Sequence, residues 1–143
     1  MKSMPDNSEY NQLVKERNSK QSQYNACSSR ISNYEGRIKR LKAQKTAVTE
    51  LKDLYKIHKK ITKDIHEEEH QWTGSTYNKY HSKMNNVETA DDYYYRNSLD
   101  FVLDSINNEI TRLENLKMQE YGLLGRLGSA LNSLANKIEN FFN

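Results

Sequence analysis

Apolar residues recur every three or four positions along most of the chain, with polar residues between them. From Tyr24 to Leu41 the apolar positions are separated by alternating steps of three and four residues, and the same alternation returns from Leu124 to Phe141. This repeat of about 3.5 residues places the apolar side chains on one side of an α-helix, as in a coiled coil. No segment of useful length alternates every two residues, as a half-buried strand would. The pattern therefore predicts an all-α protein.

A chain reversal is predicted between the two periodic segments. The sequence His70-Gln71-Trp72-Thr73-Gly74-Ser75 lies at the middle of the chain. Gly74 can adopt the positive φ that a reversal often needs, and Ser75 can cap a new helix. We assign Trp72 and Gly74 as the turn motif, with the indole ring covering the reversal.

The expected fold is one domain, a long antiparallel helical hairpin that resembles a coiled coil. Its predicted parts are a disordered lead over 1–7, a helix over about 8–69, a turn over 70–75 and a second helix over about 76–142.

The helix signal weakens in the first third of the second helix. Asn85-Asn86 and Thr89-Ala90-Asp91-Asp92 have low helix propensity overall, so we expect a bend or short break near 85–92. The following Tyr93-Tyr94-Tyr95 has two interpretations of equal weight. It is an interaction surface, because Tyr is enriched at interfaces, or it packs at the bend.

The composition predicts that the hairpin alone has only a thin apolar core. Hydrophobic residues are 35% of the chain and its mean hydropathy is −1.03. Typical domains contain about 45–50% apolar residues, glycine included. We therefore expect partner helices to complete the core. Cys27 is the only cysteine, which rules out an intramolecular disulfide, and its place on the apolar stripe predicts a buried thiol.

The sequence has no segment typical of membrane insertion. No run approaches the ~20 apolar residues of a membrane-spanning helix, and residues 1–10 lack the apolar region of a Sec signal peptide. We expect a protein that is made in the cytoplasm and does not insert stably in a membrane. Export by a route that accepts folded helical hairpins stays open.

Positive charge is concentrated in the first half of the chain. Residues 1–71 carry 15 Lys and Arg against 10 Asp and Glu, whereas residues 72–143 carry 7 against 9. Ten of the basic residues fall within 37–63. This run could bind nucleic acid through phosphate contacts, but its lysines fall on every helix face and match no known nucleic-acid-binding motif. A solvated or partner-facing helix is the better interpretation.

One motif could indicate a metal enzyme. His66-Glu67-Glu68-Glu69-His70 matches H-E-x-x-H, in which two histidines on a helix bind zinc and a glutamate acts as the base. We reject a catalytic zinc, because this charged run beside a hairpin tip offers neither a third ligand nor a dry cleft. We expect no catalytic residue, metal site or cofactor, and no enzymatic activity.

A helix, a central Trp72-Thr73-Gly74 and a second helix resemble the WXG-type hairpin proteins of Gram-positive type VII secretion systems. The layout is most similar to the YwqH-like proteins, helical proteins encoded beside LXG polymorphic toxins. The similarity covers nearly the whole chain as architecture, but only Trp72 and Gly74 match as motif residues. The resemblance implies a chaperone or targeting factor that packs against the helical N-terminal LXG region of a toxin. A second small helical protein could join this complex.

The sequence departs from many type VII substrates in one respect. Those proteins carry Y-x-x-x-D/E after the second helix, sometimes with Phe for Tyr, and no Tyr or Phe here has Asp or Glu four residues later. The partner would then supply the export signal, or this protein would remain in the cytoplasm.

The apolar stripes are the predicted binding and core residues, and the pattern alone does not divide them between the two roles. The set is Ile31, Tyr34, Ile38, Leu41, Leu51, Leu54, Leu103, Ile106, Ile110, Leu113, Leu124, Leu127, Leu131 and Leu134. Two rival functions use the same helices. One is a homodimeric coiled-coil scaffold, and the weaker one is a nucleic-acid-binding helical protein.

Overall fold

A computed structural model describes residues 7–68 and 74–142 of the chain. Almost all of these residues are helical and none lies in a strand, which confirms the all-α class. The elements are helix α1 over Asn7–Glu68, helix α2 over Ser75–Asp92, a π-helical segment over Tyr93–Leu99 and helix α3 over Asp100–Glu139.

The helices form two compact units, and in each of them a part of α1 packs antiparallel to a part of the chain that follows Gly74. The first unit contains residues 7–38 and 112–142, and the second contains residues 39–68 and 74–111. This pairing confirms the helical hairpin that was expected from the sequence.

The first unit holds a continuous apolar core. Cys27, Ile31 and Leu127 are buried together, and Tyr24, Leu123 and Leu124 pack around them. The burial of Cys27 confirms the expectation for this thiol. At the end of the unit, the ring of Tyr10 lies 5.8 Å from the ring of Phe141 and 5.2 Å from that of Phe142. The 3.5-residue repeat explains this packing, because it keeps successive apolar residues of both helices in the seam.

The second unit has a thinner interior. Ile106 and Ile110 are buried on α3, and Thr62 is the buried residue of α1 within the described part of this unit. Charged and tyrosyl side chains make many of the other contacts between its helices. The unit therefore depends on polar contacts more than the first unit does.

The backbone becomes irregular later than the sequence suggested. Residues 85–92 remain α-helical, and Thr89 donates a hydrogen bond from its hydroxyl to the carbonyl oxygen of Asn85 at 2.8 Å. Such a bond satisfies the hydroxyl within the helix, so it needs no break there. The irregularity is the π-helical segment Tyr93–Leu99, whose turns are wider than those of an α-helix.

Glycine precedes helix α2, and a short turn follows helix α3. Gly74 precedes α2 with a φ of 95°, and its carbonyl oxygen accepts the N–H of Asn78 at 3.1 Å. Ser75 is therefore the first helical residue rather than the cap. At the other end, α3 stops at Glu139 and Asn140–Phe142 form a turn.

Candidate protein-binding surface

Helix α1 exposes a row of large aliphatic side chains in the second unit. The exposed fractions are 49% for Leu51, 61% for Leu54, 57% for Ile57, 53% for Ile61 and 44% for Ile65. At ~100° per residue these five positions cover roughly 120° of the helix circumference, so they form one continuous face. We call this set the α1 apolar row.

The row lies beside the face of α1 that packs inside the second unit. That inner face carries Tyr55, which is half-buried, and Thr62, which is 8% exposed. Since Tyr55 and Thr62 point toward the rest of the unit, the neighbouring aliphatic positions lie at the edge of the packed face and are only partly covered. Contiguous exposed apolar surface of this kind marks interaction sites in soluble proteins.

Tyr55 anchors the polar contacts of the unit. Its ring stacks on that of Tyr95, with ring centres 4.2 Å apart and planes at 11°, and its hydroxyl donates a hydrogen bond to Oδ1 of Asp92. Lys59 donates to the same oxygen at 2.7 Å. The stack and the shared carboxylate fix the π-helical segment against α1.

One further ion pair and one histidine–carboxylate contact flank this anchor. Nζ of Lys52 lies 2.6 Å from Oδ1 of Asp100, and Nε2 of His58 lies 2.9 Å from Oδ2 of Asp91. The carboxylates of Asp100 and Asp92 neutralise Lys52 and Lys59, two of the ten basic residues that the sequence shows over 37–63. They leave less free positive charge for phosphate contacts than the count of lysines suggests.

The Tyr55–Asp92 contact changes the acidity of both groups. Burial, the hydrogen bond to Asp92 and the nearby carboxylates raise the pKa of Tyr55 to about 12 from 10.0. The hydrogen bonds from Lys59 and then from Tyr55 lower the pKa of Asp92. Tyr55 is therefore a hydrogen-bond donor and Asp92 an anion at neutral pH.

The three tyrosines at 93–95 do not share one environment: one of them packs inside the unit, and the other two are exposed and available for interaction. Tyr95 packs against Tyr55, whereas Tyr93 and Tyr94 are 70% and 60% exposed. The ring of Tyr94 meets that of Tyr95 edge-on with centres 5.1 Å apart. Phe101 is also 72% exposed. The second unit therefore presents aromatic as well as aliphatic side chains to solvent.

The predicted stripe residues occupy three kinds of environment. Those that are buried are Ile31, Ile38, Ile106, Ile110, Leu113, Leu127 and Leu134. Those that are half-buried are Tyr34, Leu41, Leu103, Leu124 and Leu131. Leu51 and Leu54 are exposed and belong to the α1 apolar row.

Sequence reasoning did not select three members of the row. The stripe predicted for α1 ends at Leu54, so it omits Ile57, Ile61 and Ile65. Ile57 lies three residues after Leu54 and four before Ile61. The same three-and-four spacing could have found all three residues.

Two sequence motifs fall on parts of the chain that the structure does not describe. Trp72, His70 and Glu69 lie outside the described residues, and so do the side chains of the rest of the H-E-x-x-H match. Gly74 lies within the described residues, and among them it is the one with a positive φ. Among the described residues, no group of three or more His, Cys, Asp or Glu is arranged to hold a metal ion.

None of the helices at 7–68 or 75–139 combines the length and apolar character that crossing a membrane requires.

Comparison with known proteins identifies a matching family. The sequence model of the YwqH-like family matches residues 15–136, which is most of the chain. No curated protein and no solved structure matches the chain. The matched range includes the whole α1 apolar row, α2 and the π-helical segment.

Proposed function

The chain belongs to the YwqH-like family, and from this membership we propose that it is a non-enzymatic partner of an LXG-type toxin in type VII secretion. It packs against the helical N-terminal LXG region of the toxin as a chaperone or targeting factor. We further place it in the WXG-type hairpin superfamily. The antiparallel pairing of its helices and the positive φ of Gly74 support this placement.

The observation that carries the proposal is the α1 apolar row. Five aliphatic side chains, each 44–61% exposed, follow one face of a helix for about four turns. A partner helix with its own apolar face would cover such a row, as helix-in-groove complexes do with anchors three and four residues apart.

Burial of the row supplies part of the driving force for association. Full burial of a Leu or Ile side chain contributes about 1.5–3 kcal/mol, so covering the exposed half of each yields roughly 1 kcal/mol per residue. Association costs several kcal/mol in lost freedom. The row is therefore one part of the interface, and the exposed Tyr93, Tyr94 and Phe101 are suited to extend it.

The proposed partner also accounts for the absence of an export motif. The chain has no Y-x-x-x-D/E sequence, so the toxin or a second small helical protein supplies the targeting signal. The protein is made in the cytoplasm and reaches the secretion machinery with its partner.

A homodimeric scaffold is the second candidate, because the same row could pair with a second copy of the chain. A nucleic-acid-binding role has less support. Lys52 and Lys59 are already paired with Asp100 and Asp92, which removes two of the charges that would contact phosphates.

The test compares two charged substitutions in the tagged protein, expressed in its own organism and recovered with its bound proteins. The variant Ile57→Lys/Ile61→Lys places two charges in the row. The control Met118→Lys places one at a 70% exposed apolar residue of the first unit. Circular dichroism and size exclusion must first show that the parent and both variants are folded.

We expect the parent and the control to recover one LXG-type toxin in near-stoichiometric amount at high salt, and the double variant to lose it. A toxin that binds the double variant as well as the parent would remove the row from the interface. Recovery of the protein alone, as a dimer that the double variant dissociates, would favour the homodimeric scaffold.

A further inference from the structure

The second unit contains a cavity with surplus positive charge. Its volume is about 230 Å³, and it lies beside the Tyr55–Tyr95 stack. Four cationic and two carboxylate side chains line it together with the two tyrosines. The cationic residues are Lys52, Lys56, Lys59 and Arg96, and the carboxylates are Asp92 and Asp100. The lining therefore carries a net charge of +2.

Two of the four cations are already used within the lining. Lys52 pairs with Asp100 and Lys59 with Asp92, at 2.6 and 2.7 Å. Lys56 and Arg96 form no direct hydrogen bond or ion pair with a described residue, and the charge of Arg96 acts on Asp92 only at longer range, where it helps to lower the pKa of that carboxyl group. The positive charges of Lys56 and Arg96 therefore line a cavity in which each carboxylate is already paired with a lysine.

Both walls of the cavity belong to regular elements. Lys52, Lys56 and Lys59 follow one another at steps of four and three residues on α1, so they share a helix face. Tyr95 and Arg96 lie on the π-helical segment. Segments of π-helix occur frequently at functional sites, and here the segment contributes an aromatic ring and a guanidinium to the lining of one cavity.

We propose that this cavity binds a small phosphate monoester, with the phosphate between Lys56 and Arg96 and the organic group against the ring of Tyr95. A phosphate monoester is close to a dianion at neutral pH and matches the net charge of the lining. Arg96 offers the planar fork of donors that binds phosphate oxygens in pairs. Pockets for drug-sized ligands measure about 300–1,000 Å³, so this smaller cavity admits only a small organic group.

The cavity is separate from the α1 apolar row, because no residue of the row lines it. The ligand site therefore does not depend on the toxin-binding role. Failure of one proposal leaves the other intact.

Calorimetric titration of the full-length protein with phenyl phosphate tests the site, with phenol as the uncharged analogue. The variants Lys56→Gln and Arg96→Gln each remove one unpaired charge from exposed side chains. The control Lys60→Gln removes an exposed lysine that lies four residues from Lys56 and outside the cavity lining.

We expect the parent and Lys60→Gln to bind phenyl phosphate equally, and each cavity variant to bind at least about tenfold more weakly. Phenol should not bind. Amide chemical shifts in the parent should move at 52–59 and 92–100. No binding to the parent at millimolar phenyl phosphate, or equal binding to the parent, both cavity variants and the control, would overturn the proposal.

Discussion

The thiol of Cys27 and the carboxylate of Glu120 meet inside the first unit, with Sγ 3.0 Å from Oε2. The same thiol lies 3.1 Å from the carbonyl oxygen of Glu120. Arg30 binds this carboxylate in a bidentate manner, at 2.9 Å from Nε and 3.0 Å from Nη2. One glutamate on α3 therefore receives both a buried thiol and a guanidinium from α1, one helical turn apart.

Replacing Glu120 should make the Cys27 thiol more acidic. Burial, the hydrogen bond to Glu120 and its negative charge raise the pKa of Cys27, in that order of size, whereas Arg30 lowers it. Glu120→Gln removes the negative charge and keeps burial and Arg30, so the pKa should fall toward its ordinary value. The chemical shift of isotope-labelled Cβ of Cys27, followed by NMR against pH, measures the change.

The matched control is Glu35→Gln, which removes an exposed carboxylate that accepts a hydrogen bond from Tyr121 at 2.9 Å in the same unit. We expect the titration of Cys27 to be the same in Glu35→Gln as in the parent. An unchanged titration in Glu120→Gln would contradict the assigned cause.

Truncating Leu113 should destabilise the fold more than truncating its exposed neighbour on α3. Leu113 has no exposed surface, whereas Met118 is 70% exposed. Leu113→Ala should cost about 2–5 kcal/mol of unfolding free energy, because it removes buried methyl groups and leaves a cavity. Met118→Ala should change it by less than about 0.5 kcal/mol. Urea unfolding measures both, and equal effects would contradict the burial.

The fold class could be predicted from the sequence because, in the first unit, the apolar residues that follow the 3.5-residue spacing are also the buried ones. Cys27 and Ile31 stand four residues apart on the repeat, and both are buried with Leu127 from the other helix. A repeat near 3.5 residues keeps both helices in register over many turns, so periodicity indicates helices that share a seam, and the predicted reversal at 70–75 makes them antiparallel.

The candidate site was less predictable because periodicity does not say which helix face is covered. After Leu41 the apolar residues fall out of register with the 3.5-residue repeat: the repeat continues through Tyr55 and Thr62, which take the inner face, whereas Leu51 and Leu54 lie one position off it and are exposed. The Tyr55–Asp92 contact joins residues 37 positions apart. No local pattern predicts such a pairing, which depends on the register between helices.

Removing the hydroxyl of Tyr55 should make the unfolding free energy less dependent on pH in the alkaline range. The pKa of Tyr55 is raised from 10.0 to about 12, so its protonated form favours the folded state. The protonated hydroxyl stabilises the folded state fully below pH 10, and this stabilisation is lost as the pH rises through about 12. Tyr55→Phe keeps the stack on Tyr95 but lacks the ionisable group, so its stability should fall less across this window.

Unfolding free energies from urea titrations at several alkaline pH values test this expectation. The control Tyr93→Phe removes a hydroxyl from a 70% exposed ring on the same π-helical segment. It should keep the alkaline loss seen in the parent. Parallel pH profiles for Tyr55→Phe and the parent would show that the Asp92 contact does not set this dependence.

The same substitution at two glycines should shift stability in opposite directions. Gly74 has a φ of 95° and a ψ of −167°, a conformation that is essentially restricted to glycine. Gly125 lies within α3, and a Cβ added at either position would meet no atom within 4 Å. Gly74→Ala should therefore cost about 1–3 kcal/mol through backbone strain alone, whereas Gly125→Ala should gain up to about 1 kcal/mol from helix propensity. Thermal and urea unfolding of both variants measure the difference, and a change of the same sign at the two sites would refute the assigned backbone conformation of Gly74.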